Sequence, residues 1–342
     1  MQIIRQFALA GTVVFGAIAA GLSPAAHAQD GITLPQPLEQ TLPEAPQNRF
    51  GMPIEGWVVL RYSILPDGTT DNVRIIDRIP PQLSDREATT AARAWTFEPA
   101  KADGAPVEWH NNETVVVYDV DTVPLGPSAP FVQAYLEVEE LIKSQDFDKA
   151  LKNNERMLST VTSRLGEVGL AQMQNAVINL SLGDMHAAYA AIQHATDPRV
   201  PVLTTTDLST ALQYRNVVEL ELGDAVGALE TFARRNEIEP LPASDVMVSR
   251  AATIEAGLGG DAAIVIKAKV ADDYWRHTPA RRTFAIGNVE GDIDTIQVEC
   301  NRRGAELEYS ADAEWSLPVS WGDCSLMVEG RRNTEFLFYE FP

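Results

Sequence analysis

Two cysteines, five histidines and an excess of carboxylates are the groups in this chain that could do chemistry. Cys300 and Cys324 are the only thiols. No CxxC spacing and no nearby histidine accompanies them, so pairing is favoured over metal binding or redox exchange. His110, His186, His194 and His277 remain once His27 is assigned to an export signal. His186 and His194 fall in a helical stretch, and their spacing could place them on one face. No HExxH or histidine cluster is present, so the expectation is solvated helix residues and no zinc site. A nucleophilic triad is not indicated, because no Gly-x-Ser-x-Gly elbow occurs. Asp67, Asp71 and Asp77 lack the D-x-D-x-D-G pattern of a calcium loop and read as turn and edge residues. Gly259-Gly260-Asp261 is not followed by Gly-Lys-Ser/Thr, so no phosphate cradle is indicated. Nothing singles out a carboxylate pair for glycoside hydrolysis. No catalytic residue, metal or cofactor is therefore expected, and the chain is not expected to be an enzyme. An envelope enzyme with an unrecognised site between domains remains an alternative.

What remains is binding, and charge limits the partners. The 342 residues carry a formal net charge of −21. Such a surface repels nucleic acid and anionic lipid. Protein and peptide partners are easier to accommodate. The N-terminus has the layout of an export signal, with Arg5, an apolar core from Phe7 to Leu22, Pro24, and Ala26-His27-Ala28 as a small-x-small cleavage site. The core is shorter than the roughly 20 apolar residues a spanning helix needs. Cleavage after Ala28 is expected, giving a periplasmic protein. A retained segment, anchoring the chain once in the inner membrane, is the alternative and the only route to membrane contact.

The elements follow from periodicity. Residues 29–52 form a proline-rich leader, read as extended and too irregular to pack. From 53 to 122 the pattern is that of a small ββαβ module. Val58, Leu60, Tyr62 and Ile64 share one strand face. Pro66-Asp67-Gly68-Thr69 supplies the turn, with Gly68 free to take positive φ. Val73 and Ile75 lie on the returning strand. Ser84 and Glu87 match a capping box ahead of the Ala-rich helix that should cover the hairpin. Trp95 and Phe97 restart an extended segment. Thr114, Val115, Val116, Val117 and Tyr118 form a last strand, which either presents a sheet edge for peptide addition or lies covered.

A Pro/Gly-rich linker spans 123–130. From 131 to 262 the pattern turns helical, and the segments at Asp146, Asp184 and Asp224 align as an approximate repeat. Asp at a helix start followed by small residues one turn on resembles the second helix of a tetratricopeptide hairpin. From 263 to 342 alternating segments predict a small β-sandwich or sheet, stapled by a Cys300–Cys324 disulfide. The fold class is thus multidomain α+β: a ββαβ module, helical-hairpin repeats and a disulfide-linked β domain.

The module also resembles a known family. Met52-Pro53, Glu55-Gly56, Pro66-Asp67-Gly68, the run Ala91-Ala92-Arg93-Ala94-Trp95-Thr96-Phe97-Glu98-Pro99-Ala100, Asp103-Gly104-Ala105-Pro106-Val107 and Val115-Val116-Val117 stand in the order and spacing of the TonB C-terminal domain family. The resemblance covers about a fifth of the chain. It implies pairing with a short outer-membrane receptor segment by β-strand addition, mapped here to Thr114–Tyr118. It leaves two roles open: a periplasmic binding protein in envelope transport, or an inner-membrane-anchored energy transducer for outer-membrane receptors.

Overall fold

The computed structural model describes residues 3–6, 32–47, 54–80, 83, 85–118, 126–162, 164–258, 260–271 and 274–342. The apolar signal core, the cleavage site at Ala28, the Ser84 cap and most of the linker lie outside the described residues.

The architecture is mixed α+β. The front module contains β1 (Ile3–Gln6), β2 (Ile32–Thr33), β3 (Gln36–Glu39), β4 (Gly56–Ile64), β5 (Thr70–Ile79), α1 (Asp85–Arg93), β6 (Thr96–Glu98), β7 (Lys101–Ala102), β8 (Ala105–Pro106) and β9 (Trp109–Tyr118). Its main sheet is antiparallel, in the order β1-β9-β4-β5. The β4–β5 turn forms as its residues predict. Gly68 has φ +85°, and the Asp67 carboxylate accepts from the Thr69 amide at 2.9 Å.

All nine residues of β4 are buried. Val58, Leu60, Tyr62 and Ile64 meet Ala88, Ala92, Trp95 and Phe97 beneath α1. Trp57 and Val59 on the opposite face meet Val168, Val200 and Val202. A nearly continuous apolar run is what a strand covered on both faces requires. The helix was expected to cover one face; neighbouring segments of the chain cover the other.

The leader departs from expectation, because it packs. β2 pairs with β7 and β3 with β6. Leu42 and Ala45 join the α1-side core, and the Trp95 indole donates to the Thr41 carbonyl at 2.9 Å. Extended proline-rich chain can dock along short edge strands, where proline's missing N–H does little harm.

Seven further helices follow among the described residues: α2 (Ala129–Lys143), α3 (Phe147–Thr160), α4 (Leu165–Leu182), α5 (Met185–Thr196), α6 (Thr205–Leu222), α7 (Ala225–Ile238) and α8 (Val246–Leu258). The three aligned aspartates each precede the second helix of a hairpin. Asp184 and Asp224 cap it through their side chains, whereas Asp146 makes no such cap bond. Each hairpin turn repeats one hydrogen-bond pattern. The amides of Asp146, Asp184 and Asp224 return to Leu141, Asn179 and Glu219. Those of Gln145, Gly183 and Gly223 return to Ile142, Leu180 and Leu220. This pattern needs a left-handed residue. Glycine supplies it at 183 and 223, with φ of +81° and +86°, but Gln145 must adopt +62°. Gln145→Gly should therefore stabilise the protein by up to about 1 kcal/mol, part of the relieved strain being offset by greater unfolded-chain entropy. Urea denaturation should show a higher midpoint with an unchanged slope.

The C-terminal segment is a sandwich of two four-stranded antiparallel sheets. Its strands are β10 (Ile264–Lys269), β11 (Tyr274–His277), β12 (Thr283–Glu290), β13 (Ile293–Cys300), β14 (Arg303–Leu307), β15 (Glu314–Ser316), β16 (Cys324–Gly330) and β17 (Glu335–Phe341). One sheet runs β10-β17-β12-β15 and the other β11-β16-β13-β14. Alternate residues such as Phe284, Ile296, Leu326 and Phe338 fill the space between. Cys300 and Cys324 are bonded directly across the β13–β16 pair, as expected. Closing that loop is worth about 3 kcal/mol in the chain-entropy treatment. Among the described residues no helix is long and apolar enough to cross a membrane.

Candidate functional site: the β9 edge and the charged junction beside it

The strand singled out for peptide addition begins five residues earlier than its apolar run suggests, at Trp109. The polar lead-in is held by register with β4, where Trp109 opposes Ile64, and by the Asn112 amide, which donates to the Tyr62 and Trp109 carbonyls. Of the five named residues, Thr114, Val115, Val116 and Tyr118 are buried and Val117 is half-buried. Val116 and Tyr118 belong to the α1-side core, and Val115 to the opposite one. The Thr114 hydroxyl is within 2.8 Å of the Tyr62 hydroxyl. Burial pushes the Tyr118 phenol up to about 12, with the Glu87 charge adding to the effect. Their side chains are thus committed to packing, which leaves the strand's main-chain groups for pairing. One side of β9 holds β4. The other takes Ile3–Gln6 in antiparallel register, from Ile3 opposite Val117 to Gln6 opposite Thr114.

Next to Thr114, Glu113 gathers guanidinium groups from all three parts of the chain. Arg61 of β4 donates at 2.6 Å, Arg199 after α5 at 2.8 Å and Arg276 of β11 at 2.9 Å. Arg61 also reaches Glu299 of β13 at 2.5 Å, and Arg74 of β5 binds the same carboxylate. Arg199 forms a fork on Asp197. Burial pushes the Glu113 carboxyl upward, but Arg276, Arg61 and Arg199 together hold it below its ordinary value. The junction is extended by the Tyr274 hydroxyl, which donates to the carbonyl of Ile76. Ile76 is the extra residue where β5 slips register against β4, so its main-chain groups lie outside that ladder. The sequence gives one faint sign of this network: Arg61 stands on the same strand face as Trp57 and Val59, where an apolar residue is expected.

Neither helix histidine, His186 or His194, stands fully in solvent. His194 Nε2 lies 3.0 Å from Asp77 of β5, and its ring meets Trp57 edge-on. Burial drives the His194 pKa down, yet the Asp77 charge and hydrogen bond outweigh it and hold the value above 6.5. Burial likewise opposes ionisation of Asp77, but His194 and Arg276 keep its pKa below 3.8. His186 is half-buried, and burial and Lys269 lower its pKa. Eight residues of helix separate the two by about 12 Å, and they face different charges. They form no common site.

The linkage signs of the His194–Asp77 pair differ. The raised histidine contributes stability that is complete below about 6.5 and is lost as pH rises through its folded pKa. The lowered aspartate contributes above about 3.8 and fails as pH falls through its own. His194→Gln should therefore cost most near pH 5–6 and progressively less toward pH 8. Paired thermal melts of the two proteins across that range would check this.

No catalytic arrangement emerges around the other candidates. Ser63 and Glu108 both approach the same nitrogen of His110, Nδ1, at 3.1 and 3.4 Å. A proton relay needs the base and its orienting carboxylate on opposite ring nitrogens. Burial raises Glu219 to about 6, but the side chain is sealed between α6 and α7 against Arg215. Among the described residues, no group of three or more His, Cys, Asp or Glu could hold a metal ion.

Comparison with known proteins agrees with the front module. Residues 44–118 match the family described as Gram-negative bacterial TonB protein C-terminal. Protein TonB of Escherichia coli K12 is 36% identical over 67 residues, covering 20% of this chain and 28% of that protein. Protein TonB of Pseudomonas aeruginosa is 32% identical over 69 residues, covering 20% of each. The solution NMR structure of the Pseudomonas aeruginosa TonB C-terminal domain is 24% identical, spans 26% of this chain and 90% of that one, and has a TM-score of 0.22. The chain thus spans less than a third of the curated relatives it matches. The segment from residue 44 to 118 is thus similar to the TonB C-terminal domain family, and it stands at the front of a chain whose helical layer and β-sandwich lie beyond these matches.

Proposed function

We propose that the chain is a TonB-like, non-enzymatic envelope protein that works in the periplasm after signal cleavage. On this reading it binds protein or peptide partners, outer-membrane receptor segments among them, by strand addition at Thr114–Tyr118. The domain match supports the class. The observation that carries the site is the place of β9 in its sheet: among the described residues, only Ile3–Gln6 pairs with it on the side away from β4. Those four residues fall inside the expected export signal. Cleavage after Ala28 removes them and opens main-chain donors and acceptors to another strand. N-terminal sequencing should return Gln29. An uncut N-terminus would favour the anchored transducer instead. On the same reading the helical hairpins offer a second protein-binding surface.

The test places a photo-crosslinking residue at Val117, which is half-buried beside the edge, and at exposed Thr90 on α1 as a control. In intact cells, adducts with an envelope protein should form from position 117 and not from 90. A folded variant that gives no adduct from 117 overturns the site.

A further inference from the structure

Between β15 and β16 the chain makes a single 3-10 turn, Val319–Trp321. Val319 is 75% exposed, more than any other large apolar side chain among the described residues. Trp321 beside it is half-buried. The turn is fastened to the β13–β14 hairpin. The Asn301 amide donates to the Asp323 carbonyl at 3.0 Å and the Arg302 amide to the Trp321 carbonyl at 3.1 Å. The Cys300–Cys324 bond joins the residues that border these two segments.

A lone exposed valine is ordinary, but the surroundings of this one are not. Three arginines converge on the turn. Arg282 donates to the carbonyls of Pro318 and Gly322, each at 3.2 Å. Arg302 Nη1 donates to the Ser320 carbonyl at 3.3 Å. The Arg303 guanidinium lies 5.1 Å from the centre of the Trp321 ring. Carbonyls and ring faces orient a guanidinium without neutralising it. Among the described residues none of the three forms an ion pair, in contrast to Arg61, Arg199 and Arg276. Asp323, the one acid of the 317–323 segment, is exposed and does not pair with them. Arg302 and Arg303 are also exposed. The guanidinium donors of Arg303, and those of Arg302 beyond Nη1, have no partner among the described residues.

The chain carries 48 acidic residues against 27 lysines and arginines, so the turn is a local reversal of sign. An acidic partner is repelled by the chain as a whole and drawn to this place. A guanidinium fork matches a carboxylate. Tryptophan and arginine are the side chains most often found at the energetic centre of an interface. A bilayer is a poorer match, because it would bring a broad anionic plane against an acidic chain, and one valine inserts little apolar area.

We propose that the 318–322 turn with Arg302 and Arg303 is a docking site for an acidic segment of a partner protein. Its carboxylates meet the two exposed arginines, and an apolar side chain covers Val319 and the open part of Trp321. The disulfide and the carbonyl-bound arginines hold the site in shape beforehand, so little ordering is needed on binding. The site shares no residue with the β9 edge and does not rest on strand addition there.

The experiment uses the mature full chain, 15N-labelled, and the blocked peptide acetyl-Asp-Leu-Glu-Leu-Asp-amide. Titration should shift the Trp321 indole and the amides of Arg302, Arg303 and Val319–Gly322, and added salt should weaken the binding. The neutral counterpart acetyl-Asn-Leu-Gln-Leu-Asn-amide should leave these signals in place. The double variant Arg302→Gln, Arg303→Gln should bind the acidic peptide about tenfold more weakly, the loss of two solvent-exposed charge contacts. Both side chains are exposed, so the variant should keep the remaining spectrum unchanged. No shift at these groups, equal binding of the neutral peptide, or full binding by the folded double variant would each overturn the proposal. A response to phosphatidylglycerol vesicles with none to the acidic peptide would also overturn it, and would assign the turn to a membrane surface.

Discussion

Replacing Glu113 by alanine should lower the unfolding free energy by about 3–5 kcal/mol, the range for removing one partner of a buried ion pair. Glu113, its side chain 13% exposed, answers three guanidinium groups at once. In the variant Arg61 retains Glu299 and Arg199 retains Asp197. Arg276 loses its carboxylate. The penalty is thus that of thinning the negative charge among three clustered guanidinium groups, with Arg276 left to solvent and the Asp77 charge, rather than the net worth of the original network. Thermal and urea denaturation would measure it. An exposed pair provides the contrast: Glu98→Ala, opposite Lys101, should leave the midpoint unchanged. A loss at Glu113 no larger than at Glu98 would mean that the junction does not hold the three parts together. Because the arginines come from β4, from the segment after α5 and from β11, the variant should also separate their unfolding into more than one transition.

The second large effect is expected from Trp57→Ala, about 3–5 kcal/mol, as for other buried aromatic truncations. Trp57 is fully buried and packs against Val168, Val200 and Val202 on the face of β4 turned away from α1. Its ring also flanks His194. Alanine would leave a cavity between the front sheet and the helical layer, where backbone on both sides is held by regular structure and collapses little. The indole Nε1 has no acceptor among the described residues. Trp57→Phe should therefore lose much less than half of the alanine effect, since it keeps most of the apolar volume and removes an unpaired donor. Denaturation midpoints of the two variants decide this. Equal losses would show that the indole nitrogen matters more than the volume.

Local rules made much of the fold legible. The Asp67-Gly68 turn, the alternating faces of β4 and the three helical hairpins, two of them capped by Asp184 and Asp224, depend on residues near one another in sequence. So does the pairing of Cys300 with Cys324, since no other thiol exists. The order of motifs from Glu55 to Val117 was specific enough to place the TonB-type module. Other features were hidden. Proline and polar residues in the leader gave no packing pattern, yet short edge strands received it. His194 looked like a solvated helix residue until β5 brought Asp77 beside it, 117 positions away in sequence. Glu113 and Glu299 were two acids among many, because nothing local distinguishes a carboxylate that will be buried between sheets from one that will face water.

By itself, then, the sequence determined the strands, turns and helices that follow the leader, because dihedral preference, capping and apolar period act over a few residues. It also determined a formal net charge of −21. Tertiary structure alone decided that β4 is covered on both faces and that one carboxylate answers arginines from three parts of the chain. Burial and charge pairing depend on which distant surfaces meet, and that is a property of the packed molecule rather than of any stretch within it.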